Sequence, residues 1–347
     1  MTGPPTQTTP QAGEASASIT ESDIAYASHT HAPTAKPSAH PMMEGYVMIL
    51  GAVVCNGARY YSDKAALNLG CTPLMLVMIS CLITAVGFFV LGVVWRVVGW
   101  KAATLHETTV PSVMNILRRY GWMLTIAAAA ATTAGFFYAK ALHLYGPETT
   151  AFLNNMAIVF MVIAGLLGGE RLRLAETLSI LVLLSGAFLF SYKGNQIQWG
   201  ALAIMALVCF MNTNKQLLTK RTIGRSSVVG ALTGIQIITV PMAGIPAYFS
   251  NQLVLPSPTA IGCLAFSAIV GTMAGMSLLY GGYQRIGVAR GAPIDSMRPR
   301  AALLIGLALG IPFPGLYQCI GGALVLIGSF ALARAMRKHP APTSPMR

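Results

Sequence analysis

The chain reads as two copies of one pattern, each of about five hydrophobic spans. Five is odd, so the second copy must enter the bilayer from the opposite side. Aligning Leu144–Glu170 with Arg285–Ile311, a shift of 141 residues without gaps, puts Gly146, Ala151, Met156, Gly165, Leu166 and Gly169 on Gly287, Ala292, Met297, Gly306, Leu307 and Gly310. A shift of 156 puts Asn56, Arg59 and Lys64 on Asn212, Lys215 and Lys220. The two shifts differ because the connection after the second span is long (Gly99–Arg119) and its partner is short (Ser250–Pro258).

The spans are membrane spans on composition. Apolar residues make up 54% of the chain and charged ones 10%, against about 25% charge in soluble domains. Stretches near the ~20 residues of a bilayer crossing fall at roughly 45–63, 73–97, 120–141, 148–168, 175–192, 198–218, 227–249, 260–283, 289–310 and 315–335. The predicted fold class is an all-α integral membrane protein, with ten transmembrane helices as two inverted five-helix repeats. Its organisation is a disordered cytoplasmic tail over 1–43, repeats over 44–193 and 194–336, and a cytoplasmic tail over 337–347. The N-terminal tail is rich in Thr, Ser, Ala, Pro and His and has no apolar periodicity.

The basic residues set the orientation. With the N-terminus in the cytoplasm, fifteen Lys and Arg fall in cytoplasmic loops and the C-terminal tail, among them Arg118, Arg119, Arg171, Arg173, Lys220 and Arg221. The other side keeps little beyond Lys64, Lys140 and Lys193. The net charge of +13 is therefore topological, and nucleic acid is not an expected partner. The six cysteines stand singly, with no CxxC or Cys/His spacing. No GxSxG, P-loop or HExxH motif is present, so neither an enzyme, a metal nor a cofactor is expected.

Polar residues within the spans carry the functional expectation, because an ionisable group at the bilayer centre costs about 2.5–3.5 kcal/mol unless it faces protein or a watery cavity. Span nine holds Asp295, Arg298 and Arg300; the first two are three apart and able to pair, while Arg300 points elsewhere around the helix. Pro299 loosens the same span. Asn56, Arg59 and Tyr60 share one face of span one, and Asn212, Lys215 and Gln216 share the matching face of span six. Their inverted placement would suit related gates on the two sides, although long cations near span ends also snorkel to the interface. Asn154 and Asn155 in span four correspond to Asp295 and Ser296; such amides serve either a substrate or helix–helix bonding. Tyr138 and Tyr280, near span ends, are expected to anchor at the interface.

The stretch ALHLYGPETTAFLNNMAIVFMVIAGLLGGERL, followed by an apolar span with Gly186, resembles the EamA-type repeat of the drug/metabolite transporter superfamily. YGGYQRIGVARGAPIDSMRPRAALLIGLALG, followed by CIGGALVLIG, resembles the second copy, so the likeness covers roughly 44–336. It implies a ten-helix transporter with a central cavity, moving a small metabolite by export or exchange. Two positions depart from the family pattern: Ile311 where the second repeat usually has an acidic residue, as Glu170 follows span four, and Ser80–Cys81 where an arginine is common.

The expected function is a secondary transporter working by alternating access on a small polar substrate, anionic or zwitterionic. Arg298 would attract the negative group, Asp295 would position Arg298 or bind an amine, and Asn56, Asn154 and Asn212 would supply hydrogen bonds. A coupled proton or a counter-substrate is compatible with this pattern. The expected setting is a plasma or bacterial inner membrane with both termini cytoplasmic. The competing class is a non-transporting membrane scaffold or lipid-handling partner whose polar face is structural; an ion channel lacks an acidic ring or filter-like loop.

Overall fold

The first helix, α1 (Ala39–Asn68), ends where Gly70 turns to φ +89°, the left-handed conformation that glycine adopts without steric cost. The amides of Gly70 and Cys71 close on the carbonyls of Leu67 and Ala66. Thr72 then caps the next helix through its hydroxyl, which accepts from the Met75 amide at 3.4 Å, and Pro73 occupies the first helical position, where no amide hydrogen is needed. This computed structural model describes residues 39–98, 110–157, 159–160, 163, 174–193, 196–223, 228–286, 294–311 and 315–338. Pro41–Arg347 forms one compact unit; the other, Met1–His40, lies almost wholly outside the described residues, as does the expected tail.

The elements that follow are α2 (Pro73–Val98), α3 (Val110–Tyr145), α4 (Pro147–Asn154) and α5 (Leu174–Phe190). A small antiparallel hairpin, β1 (Tyr192–Lys193) with β2 (Gln196–Ile197), leads to α6 (Trp199–Ile223) and α7 (Val228–Phe249). Next come α8 (Pro258–Phe266), a π-helical segment (Ser267–Ala274) and α9 (Gly275–Ile286). Finally come α10 (Arg298–Ala308) and α11 (Leu316–Lys338). Among the described residues, five helical stretches are long and apolar enough to cross a membrane: Pro73–Leu91, Met114–Tyr145, Trp199–Thr219, Gly230–Phe249 and Pro258–Tyr283. The apolar helices Leu174–Phe190 and Leu316–Leu332 are shorter. Large side chains such as Val86, Phe89, Leu178, Ile237 and Phe249 lie exposed. Lipid solvates such residues and water does not.

Three expected boundaries differ. Span one runs to Asn68 rather than 63, so Asp63 sits inside the helix. The connection predicted over Gly99–Arg119 is helical from Val110, with a kink at Tyr120 (φ −122°, ψ 16°). Spans four and nine are not uniform helices. The backbone breaks at Asn155–Met156 and again at Ser296–Met297, where the amides of Asn155, Met156 and Met297 bond only three residues back. The loop GERLR and residues 287–293 lie outside the described residues.

Helix contacts follow small residues. α5 lies along α11, where a Cβ added at Gly321 would come within 2.4 Å of the Phe190 nitrogen and one at Gly186 within 2.5 Å of the Val325 nitrogen. Phe152 of α4 stacks on Phe190 at 4.1 Å, closing the end of that seam. α2 packs on α7, α4 on α10, and α3 against both α6 and α7.

Candidate functional site

One face of α1 organises the centre. Asn56, Arg59, Tyr60 and Asp63 recur at steps of three, one and three residues, the spacing of a single helical face. The Asp63 side chain is completely buried. Arg59 Nε donates to Asp63 Oδ2 at 3.2 Å, the Tyr138 hydroxyl of α3 donates to the same oxygen at 3.2 Å, and the Ser267 hydroxyl of the π segment donates to Oδ1. Three donors from three elements offset the cost of withdrawing this carboxylate from water. The Arg59 guanidinium also lies 5.7 Å from the Tyr138 ring centroid, within cation–π range. Gly271 and Gly275 face α1 where bulk is needed on the other side: a Cβ at Gly271 would lie 2.6 Å from Arg59 Cβ, and one at Gly275 would lie 3.2 Å from Asn56 Nδ2.

Tyr60 carries the network onward. Its ring is 5.8 Å from that of Tyr138, and its hydroxyl accepts from Asn154 Nδ2 at 3.3 Å. It also interacts electrostatically with Arg298. Arg298 opens α10 and holds Asp295 bidentately, Nε to Oδ1 at 2.6 Å and Nη2 to Oδ2 at 2.7 Å. About a fifth of each side chain remains exposed, 22% and 21%. A guanidinium has five N–H donors, so three remain for a ligand. Lys215 of α6 is half-buried and interacts electrostatically with Arg59 and with Cys81 of α2.

The expected residues therefore divide. Arg59, Asn154, Asp295, Arg298 and Lys215 belong to one connected polar cluster. Asn155 is buried and donates through Nδ2 to the Ser296 carbonyl at 3.2 Å, the helix–helix use of an amide. Asn56 donates to the Ala52 carbonyl of its own helix at 2.8 Å. Asn212 is half-buried on α6, and Arg300 is exposed, pointing away from the cluster as its helical offset predicts. Tyr138 departs from the interfacial role expected of it, because its hydroxyl is committed to Asp63; the Tyr280 side chain lies outside the described residues.

Asp63, Ser267 and the pair Tyr61–Glu148 escaped the sequence reading. The Tyr61 hydroxyl sits 2.8 Å from Glu148 Oε1 and 2.7 Å from the Ala302 carbonyl, joining α1 to the start of α4 and to α10. Asp63 had a signal: it stands four residues after Arg59, the spacing of a helical ion pair. Ser267 and Glu148 had none, since their partners lie 204 and 87 residues away in sequence. Among the described residues no cluster of three or more His, Cys, Asp or Glu could hold a metal ion.

The class these features define is a helical membrane protein with a polar, ion-paired centre. No family model matches the chain. No curated protein sequence matches it. Among solved structures it is similar to one described only as "Crystal structure of protein", with a TM-score of 0.57 and 17% identity over 86% of this chain and 98% of the other. That likeness establishes a shared fold and says nothing of activity.

Proposed function

We propose that the chain is a secondary transporter of the drug/metabolite transporter superfamily, built from two inverted five-helix repeats and moving a small polar solute by alternating access. The observation that carries this reading is the pair of broken helices. The breaks at Asn155–Met156 and Ser296–Met297 stand at repeat-equivalent positions, 141 residues apart, and meet through the Asn155–Ser296 hydrogen bond. Transporters with inverted repeats bind substrate near the midplane at such interrupted helices, where freed backbone groups and charged side chains face a cavity.

The packing supports the same symmetry. α2 with α7, α4 with α10 and α5 with α11 are contacts between elements that the two sequence shifts pair. The half-exposed ion pair at one break suits a polar ligand better than a purely structural lock, which would bury both charges. Orientation with both termini in the cytoplasm of a plasma or bacterial inner membrane rests on the distribution of Lys and Arg.

Proteoliposomes test the proposal. Saturable uptake or exchange of a small anionic or zwitterionic metabolite, lost in Arg298→Ala while the variant remains folded, is the expected result. Non-saturating conductance would point to a channel, and no flux with any metabolite would point to a scaffold.

A further inference from the structure

Charge balance at the centre goes beyond the naming of a polar solute. Three cations, Arg59, Lys215 and Arg298, share the cluster with two carboxylates, Asp63 and Asp295. Each carboxylate is already held by an arginine. The chain is poor in further candidates, having ten Asp and Glu in all. Glu44 pairs with Arg285 and Glu148 meets Tyr61. Glu176 stands in the first turn of α5. Glu14, Glu21, Asp23, Glu107 and Glu170 belong to the tail or connections, outside the described residues. Among the described residues, Lys215 is thus the central cation with no carboxylate at ion-pair distance, and Arg59 repels it.

We infer that the empty site holds one uncompensated positive charge, on Lys215, and that the substrate is a small molecule of net charge minus one whose carboxylate or phosphate-type group Lys215 receives. The inference rests on the transporter reading for the word substrate, but the charge assignment stands independently of it. An unpaired cation withdrawn from water is costly, whereas an oxyanion beside an ammonium forms charge-assisted hydrogen bonds. A neutral solute would leave the cost in place, and a dianion would reverse it. Arg298, neutralised by Asp295, then contributes directional donors rather than net charge, and Lys215 supplies the attraction.

Purified protein in detergent tests this in two arms. Without ligand, Lys215→Met removes the unpaired charge and is expected to raise the apparent melting temperature by about 2–4 °C. Arg59→Met, which strands Asp63, is expected to lower it. A fall with Lys215→Met matching that of Arg59→Met would show that the lysine serves a hidden carboxylate and would overturn the inference. In the second arm, small carboxylates and phosphate esters grouped by net charge are added at constant ionic strength. Singly charged compounds should stabilise wild type and Lys215→Arg but not Lys215→Met. Equal shifts from neutral or doubly charged compounds, no response to any singly charged one, or a shift that survives Lys215→Met would each overturn it. A lysine-dependent shift with no saturable flux of the same compound would overturn transport and leave the charge assignment standing.

Discussion

Asn155 and Ser296 stand 141 residues apart in sequence and are hydrogen-bonded, amide to backbone carbonyl, at 3.2 Å. Each marks the point where its helix breaks. A Ser296 carbonyl within an unbroken helix would be engaged four residues onward; the break frees it to accept from another chain segment. Replacing Asn155 by Leu therefore leaves that buried carbonyl without its partner. The expected loss is modest, on the order of 0.6–1.7 kcal/mol as for hydrogen bonds between membrane helices, read as a lowered melting temperature. Transport should suffer more than stability if the two breaks form the site.

The two arginine–carboxylate pairs differ in what surrounds them. Asp63 is wholly buried while Asp295 keeps a fifth of its side chain exposed. Removing one partner of a buried pair costs about 3–5 kcal/mol because the other charge is stranded. Arg59→Met should therefore reduce the yield of folded protein sharply. Arg298→Met should be tolerated, since solvent in the cavity screens Asp295. Size-exclusion profiles and melting temperatures of the two variants compare them directly, and equal damage would contradict the burial difference.

Gly306 lies under the Tyr61–Glu148 contact, where an added Cβ would meet the Tyr61 hydroxyl at van der Waals overlap. Gly306→Ala should cost about 1–3 kcal/mol by overpacking. Tyr61→Phe removes the obstructing oxygen, and the Gly306→Ala penalty should shrink in that background. A double-mutant cycle with additive effects would show that the two residues do not touch.

The α5–α11 seam is held by absence of side chain. A Cβ at Gly321 would approach the Phe190 backbone nitrogen to 2.4 Å, and a backbone cannot swing aside as a flexible side chain does. Gly321→Leu should therefore force the helices apart and lower stability by more than Gly262→Leu, where a Cβ meets nothing within 4 Å. Equal melting temperatures would indicate that the seam opens at no cost.

Hydrophobic length and repeated spacing made most helices legible, because a bilayer imposes a run of apolar residues whatever the tertiary contacts. The Asp295–Arg298 pair was legible for a similar reason, since three residues of helix fix its geometry locally. The breaks were only half visible. Pro299 pointed to an irregular span nine, but nothing local to Asn155 signals a break, which depends on an acceptor from another helix. Tyr138 was misread because its distance from the span end outweighed a partner that only the folded bundle supplies. Glu148 is a carboxylate two residues after a glycine and one after a proline, a pattern that suggests a helix start and says nothing about Tyr61. Long-range polar contacts are chosen by packing, and a single sequence does not record which helix lies next to which.

The contact of α1 with the helix that contains the π segment runs in strict antiparallel register. Asp63 meets Ser267, Arg59 meets Gly271, Asn56 meets Gly275, Gly51 meets Leu278 and Gly45 meets Gly282. Large faces small at nearly every step, and the one polar match, hydroxyl to carboxylate, stands at the end of the row. Sliding one helix past the other by a turn would drive bulk into bulk and pull Ser267 off Asp63. The pair thus behaves as a single lever: whatever rearrangement this bundle undergoes must carry both helices together, with bending confined to their outer neighbours.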